Sequence, residues 1–249
     1  MIDANPVSTP AETSLYSNDE EKLTSNYPFR EAVGSLMYLA VGTRPDICFA
    51  VSYISRFLEN PNNSHVKAVK RIFKYIRGTL KLGIFYDCNL KLRLNCYSDA
   101  DYAADCKTRR STSGFVFSLG SGAISWSSQR QKCVALSTAE SEYYAASHAV
   151  KELVWLKQLM KDLVAKCEDS ILYMDNQSAI RLIKNPEFHK RTKHIDVMYH
   201  YIREKFENRI FNLTFVCTND QLADVFTKPL AKEKFLHFRH LMKLHNQEV

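Results

Sequence analysis

Asp99, Glu142, Asp175 and Asp224 stand where a carboxylate is hard to explain structurally. Asp99 closes an alternating strand, and Glu142 lies on the small-residue face of a helix. Asp175 ends an apolar strand, and Asp224 sits in a short helical segment after a final strand. Carboxylates repel one another unless something positive lies between them, so four gathered by one sheet suggest a divalent-cation site. Two hard cations held by oxygen ligands can clamp a phosphodiester for in-line hydrolysis.

Each position also has a plainer reading. Asp99 lies in YSDADYAAD, where a solvated turn after a strand would account for it. Asp101 and Asp105 compete with it, but Asp99 is the one nearest the strand. Glu142 shares a helix face with Ala145, Ala146, Ala149, Leu153 and Leu156. It either points toward the core, where an unpaired charge is costly, or reaches past the stripe edge to water. Asp175 ends ILYMD, and open α/β sheets bind ligands beyond the carboxyl ends of such strands. The string YMDN superficially resembles the YxDD of polymerase palms, but Asn176 replaces the second aspartate and a helix follows. Asp224 alone could be a partner for a helix N-terminus.

Other chemistries find less support. The seven cysteines are scattered and form no C-x-x-C pair, which reads as reduced thiols of an intracellular protein, cytoplasmic or nuclear. His189, His194 and His200 cluster without cysteine partners or an H-E-x-x-H helix, against zinc. No nucleophile elbow or phosphate-binding glycine loop occurs. The N-terminus has no secretory pattern, and the most apolar stretch, 32–42, is far shorter than the ~20 residues of a spanning helix; no membrane partner is expected.

The elements that must hold these carboxylates follow from hydrophobic period. Residues 1–26 are polar and read as a flexible arm. Helical stripes follow at Val33–Ala40 and Ile47–Leu58, then in a third helix capped by Asn63 or Ser64 and ended by Gly78. That third helix turns Lys67, Lys70, Arg71, Lys74 and Arg77 outward. From residue 90 the period becomes two: Leu90, Leu92, Leu94 and Cys96 alternate with polar residues, Phe115, Phe117 and Leu119 follow, and Gly120–Gly122 turns a hairpin. Ser137 and Glu140 have capping-box spacing for a long helix. A strand at 171–174, a helix capped by Asn176, a helix at 195–206 and a last strand at 211–215 complete the order. A three-strand antiparallel meander continued by strands behind helices makes a mixed five-stranded α/β sheet with helices on its faces, preceded by a small mainly helical segment. Hydrophobic residues at 45% supply a core, and a net charge of +7 favours polyanionic partners.

Read together, YSDADYAAD, RRSTSGFVFSLGSGAISWSSQRQ, ALSTAESEYYAA, LYMDNQSAIRL, KHIDVMYHYIRE and DQLADVFTKPL resemble the ribonuclease H domain of a copia-type retrotransposon Pol polyprotein. Upstream, REAVGSLMYLAVGTRPDICFAVSYISRF and HVKAVKRIFKYIRGTLKLGI resemble the segment joining a reverse-transcriptase palm to that domain. The resemblance implies a ribonuclease H-like fold at 90–230, a thumb- or connection-like helical segment at 27–89 and a basic C-terminal tail at 231–249. It implies a metal-dependent endonuclease that hydrolyses the RNA strand of RNA–DNA hybrids, with Asp99, Glu142, Asp175 and Asp224 binding two Mg²⁺ ions, Mn²⁺ as a substitute, and His194 assisting beside them.

DYAAD departs from the family, which more often has a Trp and a Gly there, and the polymerase palm, protease and integrase of a complete Pol are not in this chain. The palm and fingers of a reverse transcriptase are therefore expected partners alongside the hybrid. Arg109, Arg110 and Ser113, with Lys190, Arg191 and Lys193, are the expected nucleic-acid contacts; charges of this kind give affinity without sequence reading. The competing readings are a non-catalytic nucleic-acid-binding remnant and a DNA strand-transfer nuclease.

Overall fold

The computed structural model describes residues 4–13, 26–87, 89–163, 168–185 and 193–246, with the side chains of 193–199 outside that description. Two compact units emerge: Tyr86–Thr227, and a first unit made of Met1–Phe85 together with Lys228–Val249.

The first unit begins with α1 (Phe29–Gly42), which buries Val33, Leu36 and Ala40 as its stripe requires. A 3₁₀ turn (Pro45–Ile47), α2 (Cys48–Ile54) and α3 (Asn63–Arg77) follow. The cap of α3 is Asn62, one residue earlier than the sequence suggests. Its extended backbone lets Oδ1 accept from the His65 N–H at 2.9 Å, while His65 Nδ1 accepts from the Asn62 N–H at 3.1 Å. Strand β1 is Leu82–Ile84.

The loop before α2 carries a buried ion pair. Arg44 donates to both oxygens of Asp46 at 2.9 and 2.8 Å, and Nη1 and Nη2 donate to the carbonyl and hydroxyl of Thr79 at 3.1 and 2.7 Å. The Tyr75 hydroxyl adds a third donor to Asp46, at 2.6 Å. A buried pair is tolerable only when its remaining donors and acceptors are satisfied in this way. Segment 4–13, expected to be part of a flexible arm, lies against α3. Arg71 donates to Glu12 at 2.6 Å and to Thr9 at 3.1 Å, Arg77 donates to the Ala4 carbonyl, and Thr9 and Ala11 are buried.

The second unit is built on β2 (Arg93–Asp101), β3 (Thr112–Leu119), β4 (Gly122–Arg130), β5 (Glu168–Met174) and β6 (Asn212–Phe215), with α4 (Thr138–Leu163), α5 (Gln177–Lys184) and α6 (Lys193–Glu207) between them. The sheet order is β4-β3-β2-β5-β6; β2, β3 and β4 are antiparallel, and β5 and β6 run parallel with β2. This is the mixed five-stranded α/β sheet expected, and Gly120, at φ 67°, makes the hairpin turn where an L side chain would be strained. Leu94 and Cys96 of β2, Phe117 of β3 and Leu172 and Met174 of β5 share one core with Ala146, Ala149, Val150 and Leu153 of α4, and with Ile180, Ile183 and Ile202 of α5 and α6. Each fully buried Leu or Ile contributes about 1.5–3 kcal/mol relative to exposure.

After the second unit the chain forms α7 (Lys232–Leu241) and β7 (Leu244–Asn246). Strand β7 pairs antiparallel with β1, and Phe235 packs edge-on against Tyr75 with ring centroids 5.7 Å apart. The C-terminal stretch read from sequence as a basic tail is thus part of the first unit, because Phe235, Phe238, Met242 and Leu244 bury a stripe that the charges around them obscure. Among the described residues no helix is long and apolar enough to cross a membrane.

Candidate active site

Strand β2 does not stop at Asp99 but continues to Asp101, so the backbone on both sides of the carboxylate is held by the ladder. Asp99 pairs with Gly114 of β3 and is 2% exposed. On α4, Glu142 is 6% exposed with Ala145, Ala146, Ala149, Leu153 and Leu156 all buried on its face. That decides between its two readings: the glutamate turns inward. Asp175 follows the last residue of β5, half-buried, and Asn176 behind it caps α5 by accepting from the Ala179 N–H at 2.9 Å.

These three carboxylates meet. Asp99, Glu142 and Asp175 each offer an oxygen, and the three atoms lie within 4.8 Å of one another. Burial pushes the Glu142 carboxyl well above the usual glutamate range, and the charges of Asp99 and Asp175 push it further. The backbone N–H of Ala100 partly opposes this by hydrogen bonding to the carboxylate. Glu142 Oε2 is buried with no hydrogen-bond partner. An orphaned buried oxygen beside two further carboxylates, with oxygen the sole donor type, fits a hard divalent cation.

Asp224 is fully buried in the 3₁₀ turn Leu222–Phe226 but is not one of this group. Its N–H donates to the Gln221 carbonyl at 3.1 Å, and its carbonyl accepts from the Thr227 N–H at 3.2 Å. The turn itself is fastened to β2 by Gln221, whose Nε2 donates to the Ser98 carbonyl at 3.0 Å. Asp105 takes a different part from the one it could compete for. It accepts from the N–H groups of Lys107 and Thr108 at 3.1 and 2.9 Å and pairs with Arg130 at 3.0 Å, closing the β2–β3 connection. Its burial is outweighed by the Thr108 and Arg130 bonds, which hold its carboxyl below the usual aspartate range.

Among the expected nucleic-acid contacts, Arg109 is exposed and Arg110 half-buried on that connection, with Arg109 in the left-handed region at φ 54°. Ser113 is buried, and its hydroxyl accepts from Gln131 Nε2 at 2.8 Å, which also donates to the Ser141 carbonyl at 2.9 Å. Through Gln131, the Ser113 hydroxyl is linked to the start of α4. Lys190 and Arg191 lie outside the described residues; Lys193 and His194 fall on α6, with their side chains outside the description.

Sequence reasoning missed two hydroxyls. Thr218 Oγ1 donates to Asp175 Oδ2 at 3.0 Å, and the buried Thr227 donates to Asp99 Oδ2. Both belong to the stretch around Asp224, but threonine is too common for its presence there to have been a signal.

No family model matches the chain. It is 43% identical over 254 residues to the retrovirus-related Pol polyprotein from transposon TNT 1-94 of Nicotiana tabacum, a match taking in 99% of this chain and 19% of that protein. The chain thus spans about a fifth of the length of that curated relative. A secreted RxLR effector protein of Plasmopara viticola is 46% identical over 131 residues, 53% of this chain and 92% of that protein. Among solved structures, the N-terminal RNase H domain of a Mycobacterium tuberculosis protein, fused to maltose-binding protein, aligns over 60% of this chain and 98% of that chain, at 10% identity and TM-score 0.41.

Proposed function

From a chain that belongs to the family of retrovirus-related Pol polyproteins of copia-type transposons, with a ribonuclease H-like α/β sheet, we propose a metal-dependent endonuclease that hydrolyses the RNA strand of RNA–DNA hybrids. The observation that carries the reading is the convergence of Asp99, Glu142 and Asp175 within 4.8 Å. A bound Mg²⁺ would be held by these three carboxylates and would supply Lewis-acid polarisation of a phosphodiester. The residues do the rest: the carboxylates would hold the cation that meets the scissile phosphate, and burial of Asp99 and Glu142 excludes bulk water from their side of the site. Arg109 and Arg110 meet backbone phosphates on the exposed side, without reading sequence. Asp224, buried in the turn beside the triad, would complete a set of four carboxylates for two Mg²⁺ ions.

The test is cleavage of a labelled RNA–DNA hybrid in Mg²⁺, set beside single-stranded RNA and duplex DNA of the same sequence. Hybrid-selective cutting is expected, lost in Asp175→Asn with hybrid affinity retained. Equal activity in Asp175→Asn would remove that residue from the site; binding without cleavage by the unaltered chain would leave the non-catalytic reading.

A further inference from the structure

We infer that Thr218 and Thr227 are positioning residues for the candidate metal site, each aiming one carboxylate from a single strap, residues 218–227, laid across the sheet. The inference rests on the nuclease reading for its chemistry, but its geometry is independent of the substrate. Thr227 is fully buried, and its hydroxyl faces two acceptors, Asp99 Oδ2 and the Asp224 carbonyl. One hydroxyl has one proton, so the charged acceptor, Asp99, takes it. Thr218, at the other end of the strap, makes the equivalent bond to Asp175 Oδ2 at 3.0 Å. Two of the three grouped carboxylates are thus held by hydroxyls from one ten-residue stretch.

A threonine suits this task for two reasons. A neutral donor orients a carboxylate without cancelling the charge that attracts a cation, as a lysine or arginine would. Its β-branch also stiffens χ1. The methyl of Thr227 lies against Gly114, where a built Cβ would come within 2.8 Å of Thr227 Cγ2, and Gly114 is the cross-strand partner of Asp99 itself. With the methyl seated there, the hydroxyl is directed at the aspartate. Partners that orient a metal ligand in this way typically account for about 10–100-fold in metal affinity.

The experiment is calorimetric titration of the full chain with Mn²⁺, with melting temperature and hybrid cleavage measured on the same samples. Thr227→Val keeps shape and loses the hydroxyl; about tenfold weaker Mn²⁺ binding is expected. Thr227→Ser restores the donor and should recover most of that loss. Thr218→Val, at an exposed position, should weaken binding with no change in melting temperature. Mn²⁺ affinity in a folded Thr227→Val equal to that of the unaltered chain overturns the inference, as does a Thr227→Ser as weak as Thr227→Val. If Thr227→Val does not fold, Thr218→Val decides: unchanged Mn²⁺ affinity there overturns the inference. Failure of the nuclease reading has a different signature. Mn²⁺ binding that weakens in the valine variants, in a chain that cuts no hybrid, sinks the proposed activity and leaves the positioning role standing.

Discussion

Glu142 carries the sharpest electrostatic consequence of the site. Its carboxyl is raised first by burial and then by Asp99 and Asp175, so the metal-free folded state holds a proton there more tightly than the unfolded chain does. A raised acid adds stability that is complete below the unfolded pKa, about 4.3 for glutamate, and is lost as pH climbs through the folded value. The metal-free second unit should therefore lose stability as pH rises from about 5 toward neutrality. A divalent cation selects the ionised carboxylates, so its stabilising effect should run the opposite way, small near pH ~5 and growing toward ~8. Melting curves with and without Mg²⁺ across that range test this. A metal increment that does not vary with pH, or a Glu142→Gln variant keeping the full metal-free pH dependence, would contradict it.

Gly114 shows how an element is made to fit its neighbour. A Cβ there would stand 2.7 Å from Phe226 Cβ, 2.8 Å from Thr227 Cγ2 and 3.1 Å from the Phe226 carbonyl carbon. Its parity puts it out of phase with the core residue Phe117, on the opposite side of β3, and there the turn Leu222–Phe226 approaches the sheet. Because part of the obstruction is backbone, the turn itself must move to admit a methyl. Gly114→Ala should cost about 1–3 kcal/mol by overpacking and should also weaken Mn²⁺ binding, as Thr227 shifts with the turn. Gly34→Ala is the control: nothing lies within 4 Å of its built Cβ on α1, so a gain of about 0.5–1 kcal/mol in denaturant melts is expected. Equal effects from the two alanines would show that the close approach at Gly114 has no energetic weight. The same scale revises the basic face of α3. Arg71 and Arg77 are engaged by segment 4–13, and Lys70 lies 5.7 Å from the Tyr27 ring centroid, so only part of that stripe is left to meet phosphates.

For the whole molecule, chain order and spatial order differ. The first unit is completed by residues that follow the second, since α7 and β7 return to pack with Tyr75 and β1. Truncation after Thr227 would remove Phe235, Phe238, Met242 and Leu244, all buried. At about 1.5–3 kcal/mol per buried large side chain, that loss approaches the entire stability of a typical domain. The truncated chain should lose protease resistance across 26–85 while its Mn²⁺ affinity, a property of the second unit, stays near that of the full chain. Undiminished resistance in 26–85 would mean that the C-terminal helix is an accessory rather than part of that unit.

The order of elements and the class of sheet are legible in the sequence, and so are four carboxylates at positions hard to explain structurally, Asp99, Glu142, Asp175 and Asp224, of which the first three meet. Period and parity are local properties, and the hairpin at Gly120, the Ser137 cap that accepts from the Glu140 N–H and the cap at Asn176 are written within a few residues of where they act; the Glu140 carboxylate reaches back one residue further than a capping box, to the Leu136 N–H. Tertiary structure decided what depends on approach. It turned Glu142 inward, gave Asp105 to the loop and Ser113 to Gln131, and left Asp224 outside the grouped carboxylates. It also brought Thr227 to Asp99 across 128 residues of chain. A hydroxyl, a glycine and an amide have no hydrophobic period, so nothing in the sequence marks them until packing sets the partner beside them.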